Sequence, residues 1–560
     1  DPETLQQLDE SARGHVIIGE LTAAGISDLG EIGEDGRRPD VVCNGMLMTL
    51  AQWPNDHLVE IVDVPMEEPI QRKGVKGDKS GKIIYMGERP SRWLDEPDAY
   101  AHGYWFYNWW DSYHPIVDID PEKHTLQLGG QPHGYGYRAH RRYRVLNALV
   151  ELDEPGEYYI DRREGMLYLW PPDDASETVE VTVLEEPLIA AENVSNLRLE
   201  GFTLECCRGS VLSGDGCENV TVSNCTVRHV GSDAITFEGG RGCRVEGCEI
   251  YGIGGTGVTL RGGNREDLTS AHHIATDNHI HDFGRWRRTY HPAVNLRGVG
   301  NTCAHNHIHD APHAGITAKG NEHVIEYNEV HHVATETGDV GAFYICARDW
   351  TMRGTIIRHN YFHDVFGLGM GSKCVYLDDF TSGHIIFGNV FEHVARAAFV
   401  GGGRDNIIQN NLFIACFPSV RIDARGTNWA KGHLTGSDTW DGVTLFDRLQ
   451  EMDYHSPPYS DRYPELLTVV DDEPAMPKGN RVARNISLGG RWCDLVHGIT
   501  EEIVRMEDNL ICGHADVSLR DAAAGRLESI GLDSDAVGFQ PIPLDRIGPQ
   551  ENIPPAEASE

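Results

Sequence analysis

The chain has 560 residues, 86 of them acidic against 48 basic, giving a formal net charge of -38. Hydrophobic residues make up 40% and charged residues 24%, which excludes a disordered chain, a collagen and a small disulfide scaffold. So negative a surface repels phosphate backbones and anionic lipid, so neither nucleic acid nor a membrane is expected as a partner.

Length alone suggests three or four domains. The 13 Cys are an odd number and show no C-x-x-C spacing. They read as buried small hydrophobes rather than as disulfides or zinc ligands. No apolar run approaches the roughly 20 residues that span a bilayer. The first residue is Asp1 rather than Met, so a trimmed or processed chain is expected. A secreted or periplasmic protein is the expectation, with a cytoplasmic one as the alternative.

Residues 1–184 carry alternating strand patterns such as HVIIGEL at 15–21, MLMTLAQW at 46–53 and GMLYLW at 165–170. They also hold the aromatic stretch GYWFYNWWDSYHP at 103–115. We read this part as a separate β-rich domain packed on the remainder of the chain.

From about residue 193 a short pattern recurs. Examples are VSNCTVRHV at 222–230, ATDNHIHDF at 275–283, IRHNYFHDV at 357–365 and IQNNLFIAC at 408–416. One register position is held by Cys225, Cys248, Asn278, Asn306, Asn328, Asn360, Asn389 and Asn411, and again by Asn485 and Asn509. Repeats of roughly 20–30 residues built from short β-segments predict the coils of a right-handed parallel β-helix over 185–545, an all-β fold. Each coil exposes backbone edges that only the next coil can pair. The recurring Asn is expected at a left-handed turn, its amide bonded to the next Asn in the stack. A second strand follows each ladder position, as in AITF at 234–237, GAFY at 341–344 and CVYLDD at 374–379, with Gly-rich loops after it. An excursion at 424–480 interrupts the repeat and holds Trp429, Trp440 and a predicted helix near 443–452. Residues 546–560 read as a polar tail.

The densest charged cluster falls in two adjacent repeats, ETGDVGAFYICARDW at 336–350 and GSKCVYLDDFTSG at 371–383. They supply Glu336, Asp339, Arg348, Asp349, Asp378 and Asp379. Strands in neighbouring coils lie about 4.8 Å apart, so carboxylates from two coils can reach the separations that glycosidases use. One must stay protonated as the acid while the other stays ionised. The register places Asp339 before its strand and Asp378 after the equivalent strand, so a bend or loop must bring them together. The competing reading is that both Asp cap turns.

His281, His309, His331 and His363 recur in the ladder register and read as a single column, too one-dimensional for a metal site, so no metal is expected. His291 and His313 precede the second strand and are candidates for sugar hydroxyl contacts. Arg404 in FVGGGRDN, with Arg421, Asp423 and Arg425 in SVRIDARG, continues the same sheet edge. Trp429 comes next and could stack on a sugar face. Asp379, Arg348 and Asp349 complete the expected substrate contacts.

The segments ETGDVGAFY, RDW, VYLDDFTSG, FVGGGRDN and RIDARG together resemble glycoside hydrolase family 141. So do MTLAQWPND, ELDEPGEYYIDRREGMLYLWPP at 151–172 and GFQPIPLDRIG at 538–548. The resemblance implies a right-handed parallel β-helix with a β-rich insert, acting on plant or algal cell-wall glycans as an α-L-fucosidase or xylanase. It implies a catalytic Asp pair, which falls on Asp339 and Asp378. Relatives carry further coils before the insert, and Gly where Cys374 sits. No cofactor is implied, Ca²⁺ being admitted only as a structural ion. The alternatives are a polysaccharide lyase or epimerase, and a non-catalytic carbohydrate-binding β-helix.

Overall fold

The computed structural model describes residues 6–33, 38–172, 178–437, 439 and 441–550. Trp440 and residues 551–560 of the expected tail lie outside them.

The chain is a right-handed parallel β-helix with a β-rich N-terminal region. Three parallel sheets of eleven strands each form the solenoid. The first sheet runs from Ile189–Glu192 to Cys493–Val496, the second from Arg198–Glu200 to Arg505–Glu507, the third from Thr203–Cys207 to Leu510–Cys512. Alternation along each strand turns every second side chain inward, and strict register stacks like upon like. The second sheet stacks Ile325, Ile357, Ile386 and Ile408, all buried. The third sheet stacks Phe362, Phe391 and Phe413 with ring centroids 5.4 and 5.1 Å apart. Truncating one such residue to Ala costs roughly 2–5 kcal/mol.

The asparagine ladder is fully buried from Asn278 through Asn485. Asn328 Nδ2 donates to Asn360 Oδ1 at 2.9 Å and to the Cys303 carbonyl at 3.0 Å. Its own Oδ1 accepts from the Asn306 backbone and side chain at 3.0 and 2.9 Å. The left-handed residue is not the Asn but the one before it. Asp277, His305, Tyr327, His359 and Asn410 have φ of 58, 54, 56, 55 and 60°. That turn aims the following amide inward, where its four bonds remove the cost of burying it. A second internal column, not foreseen, lies between the first two sheets. Backbone amides of Cys243, His273 and Asn301 donate to His273 Nδ1, Asn301 Oδ1 and His323 Nδ1 at 3.1–3.2 Å. All 13 Cys are free thiols.

After Cys512 the chain leaves the solenoid and runs back along it. Gln540 N donates to Asn410 Oδ1 at 2.6 Å, Gly548 N to the Tyr327 carbonyl at 2.8 Å and Gln550 N to Asp277 Oδ1 at 3.0 Å. Residues 546–550, read from sequence as the start of a tail, are therefore pinned to the coils. The excursion carries a helix at Leu445–Gln450, capped by Thr444.

The N-terminal region is built on a seven-stranded sheet, a four-stranded sheet, a three-stranded sheet and the hairpin Pro69–Arg72/Val75–Asp78. Glu336, on the coil that carries Asp339, docks it. Its carboxylate accepts from Arg288 (Nε at 2.8 Å), Arg144 Nη2 at 3.2 Å and the Tyr104 hydroxyl at 3.1 Å. Arg142 Nη2 also donates to the Glu336 carbonyl at 2.6 Å. Burial opposes the charge, but Arg288 and Arg144 outweigh it and hold the carboxyl at about 2.

Candidate active site

Strands Gly341–Cys346 and Lys373–Asp378 pair in the first sheet, Gly341 opposite Lys373 and Cys346 opposite Asp378. The bend expected between Asp339 and Asp378 is made by Asp339 itself, whose φ of 61° breaks the strand direction ahead of Gly341. Its carboxylate turns back over the sheet face, where Lys373 Nζ donates at 2.6 Å and the Tyr376 hydroxyl lies at 3.4 Å. Burial lowers the Lys373 ammonium pKa, against the pull of Asp339.

Asp378 ends its strand on the same outward face, two residues after Tyr376. Cys374 lies buried within that strand. The Tyr344 hydroxyl donates to Asp378 Oδ2 at 3.0 Å, and the nearby Tyr376 hydroxyl works to lower the Asp378 pKa. The Tyr376 hydroxyl thus lies against Asp339 and also acts electrostatically on Asp378. Asp379 and Phe380 come next with φ of 28 and 63°, a sharp turn at the end of the strand. Arg348 donates to Asp379 Oδ2 at 2.6 and 2.8 Å. Arg425 Nη1 bonds both Asp378 Oδ1 and Asp379 Oδ1, the latter at 2.8 Å. Its Nε and Nη2 pair with Asp423 at 2.9 and 3.0 Å. Gly401 stands opposite Asp423 in the register, and a Cβ there would lie 2.2 Å from Arg425 Nη2. The glycine is the space that the guanidinium fills.

The pKa values of Asp378 and Asp379 shift in opposite directions. Burial, then the Asp379 charge, raises the pKa of Asp378. For Asp379 burial is outweighed by Arg425 and Arg348, which hold it at about 2. One acid is biased toward its protonated form beside a partner ion-paired to Lys373, the asymmetry that acid–base chemistry needs. Cys346, Asp378 and Asp379 also bring three ligand atoms within 4.8 Å. A cation there would compete with the guanidinium groups of Arg425 and Arg348.

The other expected residues divide. Arg421 lies on the same face, 5.4 Å from the Phe399 ring and paired with Asp494 at 3.4 Å. Trp429 is 44% exposed, with Arg425 5.1 Å from its ring. His313 is buried against Tyr290, ring centroids 4.8 Å apart, and its Nδ1 meets Thr337 Oγ1 at 3.0 Å. Burial lowers its pKa to about 3, so it is neutral. His291 instead reaches Thr256 at 3.1 Å and Asp233 at 3.5 Å, in earlier coils. Asp349 is taken up by Arg265 at 3.0 Å and by Thr351 at 2.6 Å. Arg404 is buried and clamps the excursion through Asp472, at 2.5 Å to the carboxylate and 3.0 Å to the carbonyl. These three hold structure and do not join the pair. Their partners lie too far off in sequence for spacing to show the bonds.

Sequence reading missed Lys373, Tyr344, Tyr376 and Tyr290. The first-sheet register offered a signal, since Tyr344 and Tyr376 occupy one outward column with Phe399 and Arg421. It also missed the N-terminal contribution. Lys73, at the hairpin turn, places Nζ 4.0 Å from the Trp429 ring, so β-rich region and excursion meet over the site. Beside it Tyr107 and Trp109 stack 3.9 Å apart, and the Asn108 carbonyl accepts from Gly338 N at 3.3 Å.

His281, His309, His331 and His363 stack in one column as expected, but His279 and His307 form a second rank beside it. His-Ile-His strands turn two imidazoles outward at once, giving two ranks on the third sheet.

Among the described residues no helix is long and apolar enough to cross a membrane. A family model described as a right handed beta helix region matches residues 210–289 and 292–437. No curated protein sequence matches the chain. A solved structure described as a glycoside hydrolase shares 13% identity over 96% of this chain and 82% of its own, with a TM-score of 0.52. XylC in complex with xylose shares 10% over 91% and 74%, TM-score 0.39. A PL6 family alginate lyase, AlyGC, shares 14% over 65% and 56%, TM-score 0.29. At such identities the first likeness shows the solenoid fold, and the other two add nothing to it.

Proposed function

We propose that the protein is a carbohydrate-active enzyme, a glycoside hydrolase in which Asp378 is the general acid and Asp339 the base or nucleophile. The observation that carries this reading is the presence of two carboxylates from adjacent coils beside the Tyr376 hydroxyl, one with a raised pKa and one ion-paired. The acid protonates the glycosidic oxygen while the ionised partner attacks the anomeric carbon or activates water. Tyr376 and Lys373 hold the Asp339 carboxylate in place. Arg425, shared among Asp378, Asp379 and Asp423, fixes the orientation of Asp378. Trp429 and the stacked Tyr107 and Trp109 offer apolar faces for sugar rings. By resemblance the substrate is a plant or algal cell-wall polysaccharide or oligosaccharide, cleaved in the manner of an α-L-fucosidase or xylanase.

A lyase fits less well. It needs a free base and a cation to neutralise a uronate, whereas Lys373, Arg348 and Arg425 are each committed to an Asp. The test is a screen of neutral and acidic cell-wall glycans with product analysis. Hydrolysis without a new ultraviolet-absorbing double bond is expected. Asp339→Asn and Asp378→Asn are each expected to lower kcat by about 10³-fold or more with the fold intact. Full activity in both variants sinks the assignment.

A further inference from the structure

The outer face of the third sheet carries a cluster that the candidate active site does not use. The strands His279–His281 and His307–His309 each bury their central Ile and turn both imidazoles outward. Register then stacks one rank as Glu249, His279, His307 and Glu329, and beside it a second as Tyr251, His281, His309, His331 and His363. Rings of the second rank are nearly parallel, with His281 to His309 and His309 to His331 centroids 5.0 and 4.9 Å apart. Across the ranks His279 Nε2 lies 2.7 Å from His309 Nε2, and His307 Nε2 lies 2.9 Å from His331 Nε2. Of two neutral imidazole nitrogens that close, one must hold a proton between them, and a metal ion can replace it.

The second rank is also oriented from behind. His309 Nδ1 lies 2.7 Å from Asp310, His281 Nδ1 2.7 Å from Asp282 and His363 Nδ1 2.8 Å from Asp364. At His309 a carboxylate that accepts the Nδ1 proton leaves the Nε2 lone pair facing His279, whereas His281 and His363 turn Nε2 to Glu249 and Glu329 at 3.2 Å. The His309 arrangement is how metal-bound imidazoles are held.

We propose that His279, His307 and His309 form a binding site for one divalent transition-metal ion of the imidazole-preferring class. Their ligand nitrogens lie within 4.8 Å of one another. Zinc–nitrogen bonds of 2.0–2.1 Å in tetrahedral geometry set ligand nitrogens about 3.3 Å apart, within reach of small ring rotations here. Three neutral nitrogens suit Zn²⁺, Ni²⁺ or Cu²⁺, whereas Ca²⁺ and Mg²⁺ call for oxygen. Glu249 and Glu329 close the first rank at either end and add a negative field.

Zn²⁺ titrated calorimetrically into the full chain tests this, with Cu²⁺ electron paramagnetic resonance as a second readout. The expected result is one tight ion per chain and nitrogen coupling in the Cu²⁺ spectrum. His309→Ala and the double variant His307→Ala/His279→Ala should each lose at least tenfold in affinity. Asp310→Asn, which touches no metal, should lose about tenfold through the freed imidazole. Unchanged thermal midpoints of the metal-free variants would show that the fold is intact. Zinc binding that survives all these substitutions, or a Cu²⁺ spectrum without nitrogen coupling, overturns the proposal. The cluster lies on a different sheet from Asp339 and Asp378, so Asp378→Asn should bind Zn²⁺ as the parent does.

Discussion

Replacing Glu336 by Gln should loosen the N-terminal region from the solenoid by a calculable, pH-dependent amount. The carboxyl is held at about 2 against an ordinary 4.5 by Arg288 and Arg144, which outweigh its burial. A carboxylate with a depressed folded-state pKa stabilises the fold fully above 4.5 and loses that contribution as pH falls toward 2. From 4.5 to about 2 the linkage is worth about 3 kcal/mol at pH 7 and about 2 kcal/mol at pH 3.5. Glu336→Gln keeps the shape but not the charge, and leaves Arg288 without its counter-ion. Chemical denaturation followed by tryptophan fluorescence should therefore show the variant about 3 kcal/mol less stable at pH 7, with an unchanged denaturant slope and a gap narrowing by about 1 kcal/mol at pH 3.5. A gap below about 1 kcal/mol at pH 7, or one that does not change with pH, refutes the account of this ion cluster.

The site and the core lead to three further outcomes. Asp379→Asn removes the like charge that helps raise the Asp378 pKa and frees Arg425 to pair with Asp378 more fully. The alkaline limb of the kcat profile should move to lower pH, and an unmoved limb would exclude Asp378 as the acid. Gly401→Ala puts a methyl where Arg425 Nη2 lies 2.2 Å away, so the guanidinium must leave Asp378. We expect kcat to fall about tenfold or more with little change in KM, read by steady-state kinetics. Asn360→Ala removes the acceptor of the buried Asn328 N–H and the donor to the Ile325 carbonyl on the preceding coil, and should cost about 2–4 kcal/mol in denaturant unfolding.

The solenoid was legible because its inward positions repeat. Asn328, Asn360 and Asn389 face the same surroundings in successive coils, so one residue type recurs and the pitch can be counted. The amide stack was legible too, but not the backbone beneath it. The left-handed residue comes one position earlier, where Asp, His, Tyr and Asn alternate and no single type marks it. Asp339 and Asp378 stood out as acids in adjacent repeats. Their geometry did not, since it depends on the turn at Asp339 and on two Tyr whose sequence also suits a plain strand. Arg404 and Asp349 looked like site residues because they flank the right strands. Asp472 and Arg265 claim them instead, and both lie on loops that keep no period.

The same contrast explains where chemistry collects on this fold. Inward columns must be uniform, because each residue packs against its equivalents above and below. Outward columns carry no such constraint, so Tyr344, Tyr376, Phe399 and Arg421 can differ coil by coil and build a graded face. The His ranks are the exception that sharpens the point. They are outward yet nearly uniform from His279 to His363, although packing does not demand it and stacked imidazoles repel when protonated. Uniformity on an outer face therefore calls for a cause other than the core, and a shared ligand between the ranks supplies one. On the first sheet the opposite holds. Asp378 and Asp379 are adjacent and chemically alike, and only the turn between them, with Arg348 drawn to one and Arg425 shared, shifts their pKa values in opposite directions.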